Sequence, residues 1–192
     1  MISSRDLVYF INPPEYLSVS IAYTVAADVL PIFEKHFPKD LRPRKAVEAS
    51  KMYLDGYAVD SADAYDAAYA AYSAYAAAYD VAVAANAAHI VYATYAAAAA
   101  NAAAAVVNAA NATANAVAVN TAYAVYYAVS ASSEEHIFNL ILSLIPQMID
   151  YAVENQIKLF TGSGDFSEIF EKLTDEQKKS VIYNMDVIGN WK

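Results

Sequence analysis

The densest run of side chains able to do chemistry is "AYDAAYAAYSAYAAAYD", residues 64 to 80. On a helix turning 100° per residue, Tyr65, Tyr69, Tyr72, Tyr75 and Tyr79 fall within an arc of roughly 120°. Two roles fit that aromatic face. One is packing into a core, the usual fate of aromatic residues at helical spacing. The other is a platform for a flat ligand or a docking partner, because tyrosine joins a large rigid area to a polar tip. Beside the tyrosines runs a seven-residue polar series: Asp66, Ser73, Asp80, then, after Ala87, Thr94, Asn101, Asn108 and Asn115. Seven residues is nearly two helical turns, so within one helix these groups line up. They form either a solvated stripe or the wall of a polar cavity between helices whose alanines permit close approach.

Catalytic chemistry finds little support. Asp66 and Asp80 stand about 21 Å apart along an unbroken helix, too far for a carboxylate pair. Asp60, Asp63 and Asp66 crowd a helix start, where the dipole and capping favour negative charge. They lack the turn and ligand density of a calcium loop. His36, His89 and His136 are widely separated and show no HExxH spacing, so a zinc enzyme is not expected, and His89 on its apolar run suits a hydrogen-bonded interior position. "TGSGD", residues 161 to 165, lacks the Lys-Ser/Thr of a phosphate loop. With no cysteine there is no thiol nucleophile, disulfide or thiolate metal site. The expectation is a protein that is not an enzyme and carries no metal and no cofactor.

Charge says more about partners. From Met52 to Ile157 there is no lysine or arginine, while Asp55, Asp60, Asp63, Asp66, Asp80, Glu134, Glu135, Asp150 and Glu154 give nine negative charges. The flanks balance, so the formal charge of −9 belongs to the middle. Such a field repels DNA and RNA and attracts a basic partner or a cation. The plainer role of the same charges is to keep an alanine-rich bundle soluble.

The elements that would position these groups are helices. Between Tyr57 and Ile145 there is neither glycine nor proline, and alanine has the highest helix propensity. The predicted fold class is all-α, a compact multi-helix bundle with long alanine- and tyrosine-rich helices. A single helix over residues 61 to 131 would be about 107 Å long, against a radius of gyration of roughly 16 Å for a domain of this size. The chain must therefore turn back, with corners expected at residues 80 to 86 and 111 to 115, where asparagine, threonine and β-branched residues weaken the helix. Upstream, a helix is predicted to begin after Pro13 and Pro14 and to be perturbed at Pro31, and another opens with Pro43 at its first position and stops at Asp55-Gly56. Downstream, "EEHIFNLILSLIPQMIDYAVENQI" holds long aliphatics that should pack on the alanine faces. Residues 1 to 160 form the expected helical domain, and 165 to 192 a short tail of two helices, the second with a capping-box pattern at Thr174 and Gln177.

The 17 tyrosines and 7 phenylalanines are expected to supply much of the buried apolar area, since alanine contributes little. The N-terminus lacks the basic region and apolar run of a signal peptide. Asn101, Asn108, Asn111 and Asn115 interrupt the longest apolar run, which argues against a membrane span. A cytoplasmic protein is the expectation.

Several segments together resemble a known family. "DVLPIFEKHFPKDLRPRKAVEA", residues 28 to 49, the repeated aromatic-Ala-Ala helix, "AAHIVYATY" and "EEHIFNLILSLIP" look like the alanine-rich immunity-protein family of bacterial polymorphic-toxin systems. The likeness spans about residues 28 to 150. Leu30, Pro31, Phe33, Glu34, Arg42, Pro43, Arg44 and His89 fit its pattern, whereas Tyr95 stands where a histidine is expected and Ala88 where a glycine is. The resemblance implies an all-helical protein that neutralises a toxin by binding it, and proteins of this look also occur in phage genomes, which extends the expectation to an anti-defence role.

Three functions are carried forward. The first is a non-enzymatic antagonist that binds a basic protein effector, a toxin or a host defence protein. The second is a sponge for a small nucleotide, with Tyr65, Tyr69, Tyr72 and Tyr95 stacking on the base, His89, Asn101 and Asn108 reading its edges, and Arg42, Arg44 and Lys45 contacting phosphate. Asp66 and Asp80 belong to the same candidate binding surface. The third is assembly, with the tyrosine face as a homo-oligomer interface.

Overall fold

The computed structural model describes residues 3–57, 96, 114–155, 157, 159–160, 170–171, 173–176, 178–179 and 181–182. The expected corner at 80 to 86 and the link at 161 to 165 lie outside the described residues, as do residues 111 to 113 of the second corner; residues 114 and 115 are helical. The all-α expectation holds: the regular secondary structure is helical, and the described residues contain no strand. Five helices pack together, α1 (Ser4–Ile11), α2 (Glu15–Glu34), α3 (Arg42–Leu54), α4 (Ala114–Ala131) and α5 (Glu134–Glu154).

Local sequence sets most of the boundaries. Ser3 caps α1 by accepting from the Asp6 amide, while the Asp6 carboxylate accepts from the Ser3 amide at 3.1 Å, a reciprocal box that satisfies two otherwise orphaned donors. Asn12 ends α1 in the left-handed region (φ 47°), which asparagine tolerates, and Pro13-Pro14 prevents continuation. The sequence-level account had no helix here. α3 opens at Arg42, one residue before the expected start, with Pro43 in its first turn. Its end is a Schellman arrangement: Tyr57 N–H donates to the Met52 carbonyl and Gly56 N–H to the Tyr53 carbonyl, each at 3.0 Å, with Gly56 at φ +80°. Ser133 caps α5 by accepting from the His136 amide.

Both internal prolines are carried within helices. α2 runs through Pro31 to Glu34 instead of faltering at Leu30. Pro31 sits in the last turn and is exposed, so the carbonyl four residues earlier loses its partner where water can replace it, and Lys35 N–H still reaches the Pro31 carbonyl at 3.0 Å. Pro146 lies on the exposed side of α5 in the same way.

Side-chain contacts give the helix directions. Tyr16 of α2 meets Tyr53 of α3 and Tyr151 of α5, whereas Glu34 at the other end meets Arg44 and Asp28 meets His136. α3 and α5 therefore run antiparallel to α2. Its most extensive partner is α4, and the Thr121 hydroxyl donates to the Ser18 carbonyl at 3.1 Å. Ala22 and Ala26 follow Ser18 at four-residue steps, and Val125 and Ala128 follow Thr121, so small residues line the facing sides and let the backbones close up.

The core is aliphatic. Its largest fully buried side chains are Phe33, Leu7, Ile11, Ile21, Ile137, Ile141, Ile145 and Leu159, with no tyrosine among them. Among the described residues the tyrosines sit around this core: Tyr16, Tyr23, Tyr53, Tyr127 and Tyr151 are partly buried against it, and Tyr9, Tyr57, Tyr123 and Tyr126 are exposed. That corrects the expectation that tyrosine builds the interior, because a phenolic hydroxyl is more cheaply satisfied at the rim. Leu173 and Val181 of the C-terminal region join the same buried cluster. α2 and α5 are long and apolar enough to cross a membrane by length and composition alone, and both are partly buried here against other helices.

Candidate functional site

Tyr65, Asp66, Tyr69, Tyr72, Asp80, His89, Tyr95, Asn101 and Asn108 lie outside the described residues. The expected phosphate contacts are described, and they stand at the start of α3. Arg42 forms a two-point pair with Asp40, Nε to Oδ1 at 2.9 Å and an amino nitrogen to Oδ2 at 2.6 Å. Arg44 does the same with Glu34 at 2.7 and 2.5 Å. Hydrogen bonding from Arg42 holds the Asp40 carboxyl below its ordinary pKa, and the carboxylates raise both guanidinium values. Lys45 is exposed and has no ion pair among the described residues. A phosphate arriving here competes with two carboxylates already in place. Arg42 and Arg44 thus join the α2–α3 corner together.

Next to that corner is an open groove of about 310 Å³ lined by Tyr23, Leu30, Pro31, Val47, Glu48 and Lys51, among others. Its charges are largely matched: Lys51 pairs with Asp55 at 2.5 Å, which raises the lysine pKa. At the far end of the same helices Tyr16 stacks on Tyr151 with centroids 4.6 Å apart and leans on Tyr53 at 6.4 Å. Burial raises the Tyr53 pKa, so these rings act as neutral packing groups.

The α5 surface is different in character. Its solvent side runs through Glu135, Asn139, Ser143, Gln147, Asp150 and Glu154, a polar line at helical spacing with acids at both ends and no cation on the helix. His136 alone brings positive charge when protonated, and its Nε2 lies 2.8 Å from Asp28 Oδ2. Among the described residues Glu135, Asp150 and Glu154 make no ion pair. This is the described part of the cation-free middle of the chain.

A second surface went unnoticed at the level of sequence. Arg5, Tyr9, Val119, Ala122, Tyr123 and Tyr126 line a half-open groove of about 300 Å³ between α1 and α4. The available signal was the spacing of Arg5 and Tyr9 on one short helix and of Val119, Tyr123 and Tyr126 on another, opposite the buried Ala124, Val125 and Ala128. Only the fold brings the two sets together.

Among the described residues no three His, Asp or Glu side chains gather to hold a metal ion. No protein family, curated protein or solved structure matches the chain.

Proposed function

We propose that this protein is a non-enzymatic antagonist that binds a basic protein effector, a toxin or a host defence protein, and blocks it by occupying its surface. The observation that carries this is the separation of charge. Residues 52 to 157 hold nine acids and no lysine or arginine, and the exposed side of α5 presents three of those acids without ion-pair partners among the described residues. A rigid helix carrying one sign of charge attracts a basic surface over distance and orients it on approach. The resemblance of residues 28 to 150 to bacterial immunity proteins supports the same role.

The test is capture from the native context. Tagged wild-type chain and a variant carrying Glu135→Gln, Asp150→Asn and Glu154→Gln are recovered at low salt, and bound proteins are identified by mass spectrometry. The wild type is expected to retain a basic protein that the variant retains weakly, and that elutes as salt rises. Equal retention by the two chains, or retention of acidic proteins only, would overturn the proposal.

A further inference from the structure

We infer that the groove between α1 and α4 is a binding site for a small flat ligand made of one aromatic ring system bearing a single anionic group. It is separate from the acidic face of α5 and stands or falls without it.

Three features of the groove point to that chemistry. First, Tyr9, Tyr123 and Tyr126 gather there, each 50 to 51% exposed, with Val119 at 47% beside them. Half of the exposed large hydrophobic side chains among the described residues are thus in one place. The rings are held in place: Tyr126 meets Tyr127 edge-on at 5.2 Å and Tyr123 stacks on Tyr127 at 6.2 Å, while Tyr127 packs against the core. Held rings lose little freedom when a flat ligand stacks on them. Among the described residues, the hydroxyls of Tyr9, Tyr123 and Tyr126 have no hydrogen-bond partner, which leaves donors for the polar edge of a ligand.

Second, Arg5 borders the groove without a carboxylate partner among the described residues. Its neighbour Asp6 is turned away, with Oδ2 accepting from the Ser3 amide and hydroxyl at 3.1 and 2.6 Å. Arg42 and Arg44, by contrast, each hold a carboxylate through two contacts. A planar guanidinium beside aromatic rings suits a carboxylate or phosphate attached to a ring.

Third, size and charge limit the occupant. A volume of about 300 Å³ is at the lower end for small-molecule sites and accommodates one ring system. One arginine in a chain of formal charge −9 favours one anionic group over a polyphosphate. The same net charge opposes a second copy of the chain as the occupant.

Titration calorimetry on the full chain tests this with indole-3-acetate, its neutral amide, acetate and adenosine 5′-monophosphate. Indole-3-acetate or the nucleotide is expected to bind, and the stronger of the two tells whether the site prefers carboxylate or phosphate. Acetate should show no binding, and the amide should bind about tenfold more weakly than the acid, the worth of one charge-assisted hydrogen bond. Arg5→Gln and Tyr126→Ala should each weaken binding about tenfold, the second through lost stacking. Both side chains are exposed, so circular dichroism should show unchanged helix content. The inference is overturned if neither aromatic anion binds at millimolar concentration. It is overturned equally if binding survives both substitutions unchanged, or if sedimentation shows a dimer that Tyr126→Ala dissolves.

Discussion

The carboxylate of Glu134 sits where two helices begin. It is the first residue of α5, and it accepts from both the backbone amide and the hydroxyl of Ser4, the first residue of α1, the hydroxyl at 2.6 Å. Negative charge is favoured at both positions by the unpaired amides of a helix start. Ser4 is fully buried, so removing the acceptor leaves its donors unsatisfied. Glu134→Ala is expected to lower unfolding free energy by about 1.5–3 kcal/mol in a urea titration, the range for hydrogen bonds to a charged group. A change near zero would mean that water replaces the carboxylate. Two further acids link stability to pH. Hydrogen bonds from Ser3 hold the Asp6 pKa below its ordinary 3.8, and those from Arg42 do the same for Asp40. A depressed carboxyl pKa contributes stability that is present above the unfolded value and lost as pH falls through the folded value. Wild-type melting temperature should therefore fall as pH drops below about 4, and the fall should be shallower in a chain carrying Asp6→Asn and Asp40→Asn. Parallel curves for the two proteins would remove these acids from the account.

At the scale of the helix, the ends and the close contacts carry the specificity. A Cβ at Gly56 would meet nothing within 4 Å, so Gly56→Ala tests conformation alone. Its φ of +80° in the α3 stop should cost about 1–2 kcal/mol, measured as a shift in urea midpoint. Ala128 is fully buried on the side of α4 that faces α2, and Ala128→Leu should destabilise by about 1–3 kcal/mol through overpacking. The helices that the sequence announced are those with punctuation: Pro13-Pro14 before α2, Pro43 and Asp55-Gly56 around α3, and a long aliphatic run for α5. α1 was overlooked because eight residues give a weak periodic signal, although Ser3 and Asp6 mark its start. Pro31 misled for a positional reason, since a proline in an exposed last turn removes one hydrogen bond and does not end the helix. The candidate site was less legible than the fold. The α1–α4 groove joins residues from opposite halves of the chain, so helical periodicity describes each side of it and cannot pair them. The tyrosine, aspartate, histidine and asparagine positions between 65 and 108 lie outside the described residues.

At the scale of the molecule, function is proposed to follow from charge layout more than from any single side chain. The exposed α5 line and the cation-free middle set a direction for approach, while the arginines at the α3 start are paired locally. A binding protein of this kind should depend on salt through its association rate far more than through its dissociation rate. The most direct measurement is stopped-flow association with the basic partner recovered from the native context, from low to physiological ionic strength. The account predicts that the association rate of the wild type falls about tenfold or more over that range while dissociation changes little. It also predicts that the chain with Glu135, Asp150 and Glu154 neutralised starts slower and responds less steeply. An association rate independent of salt, or identical in the two chains, would contradict it.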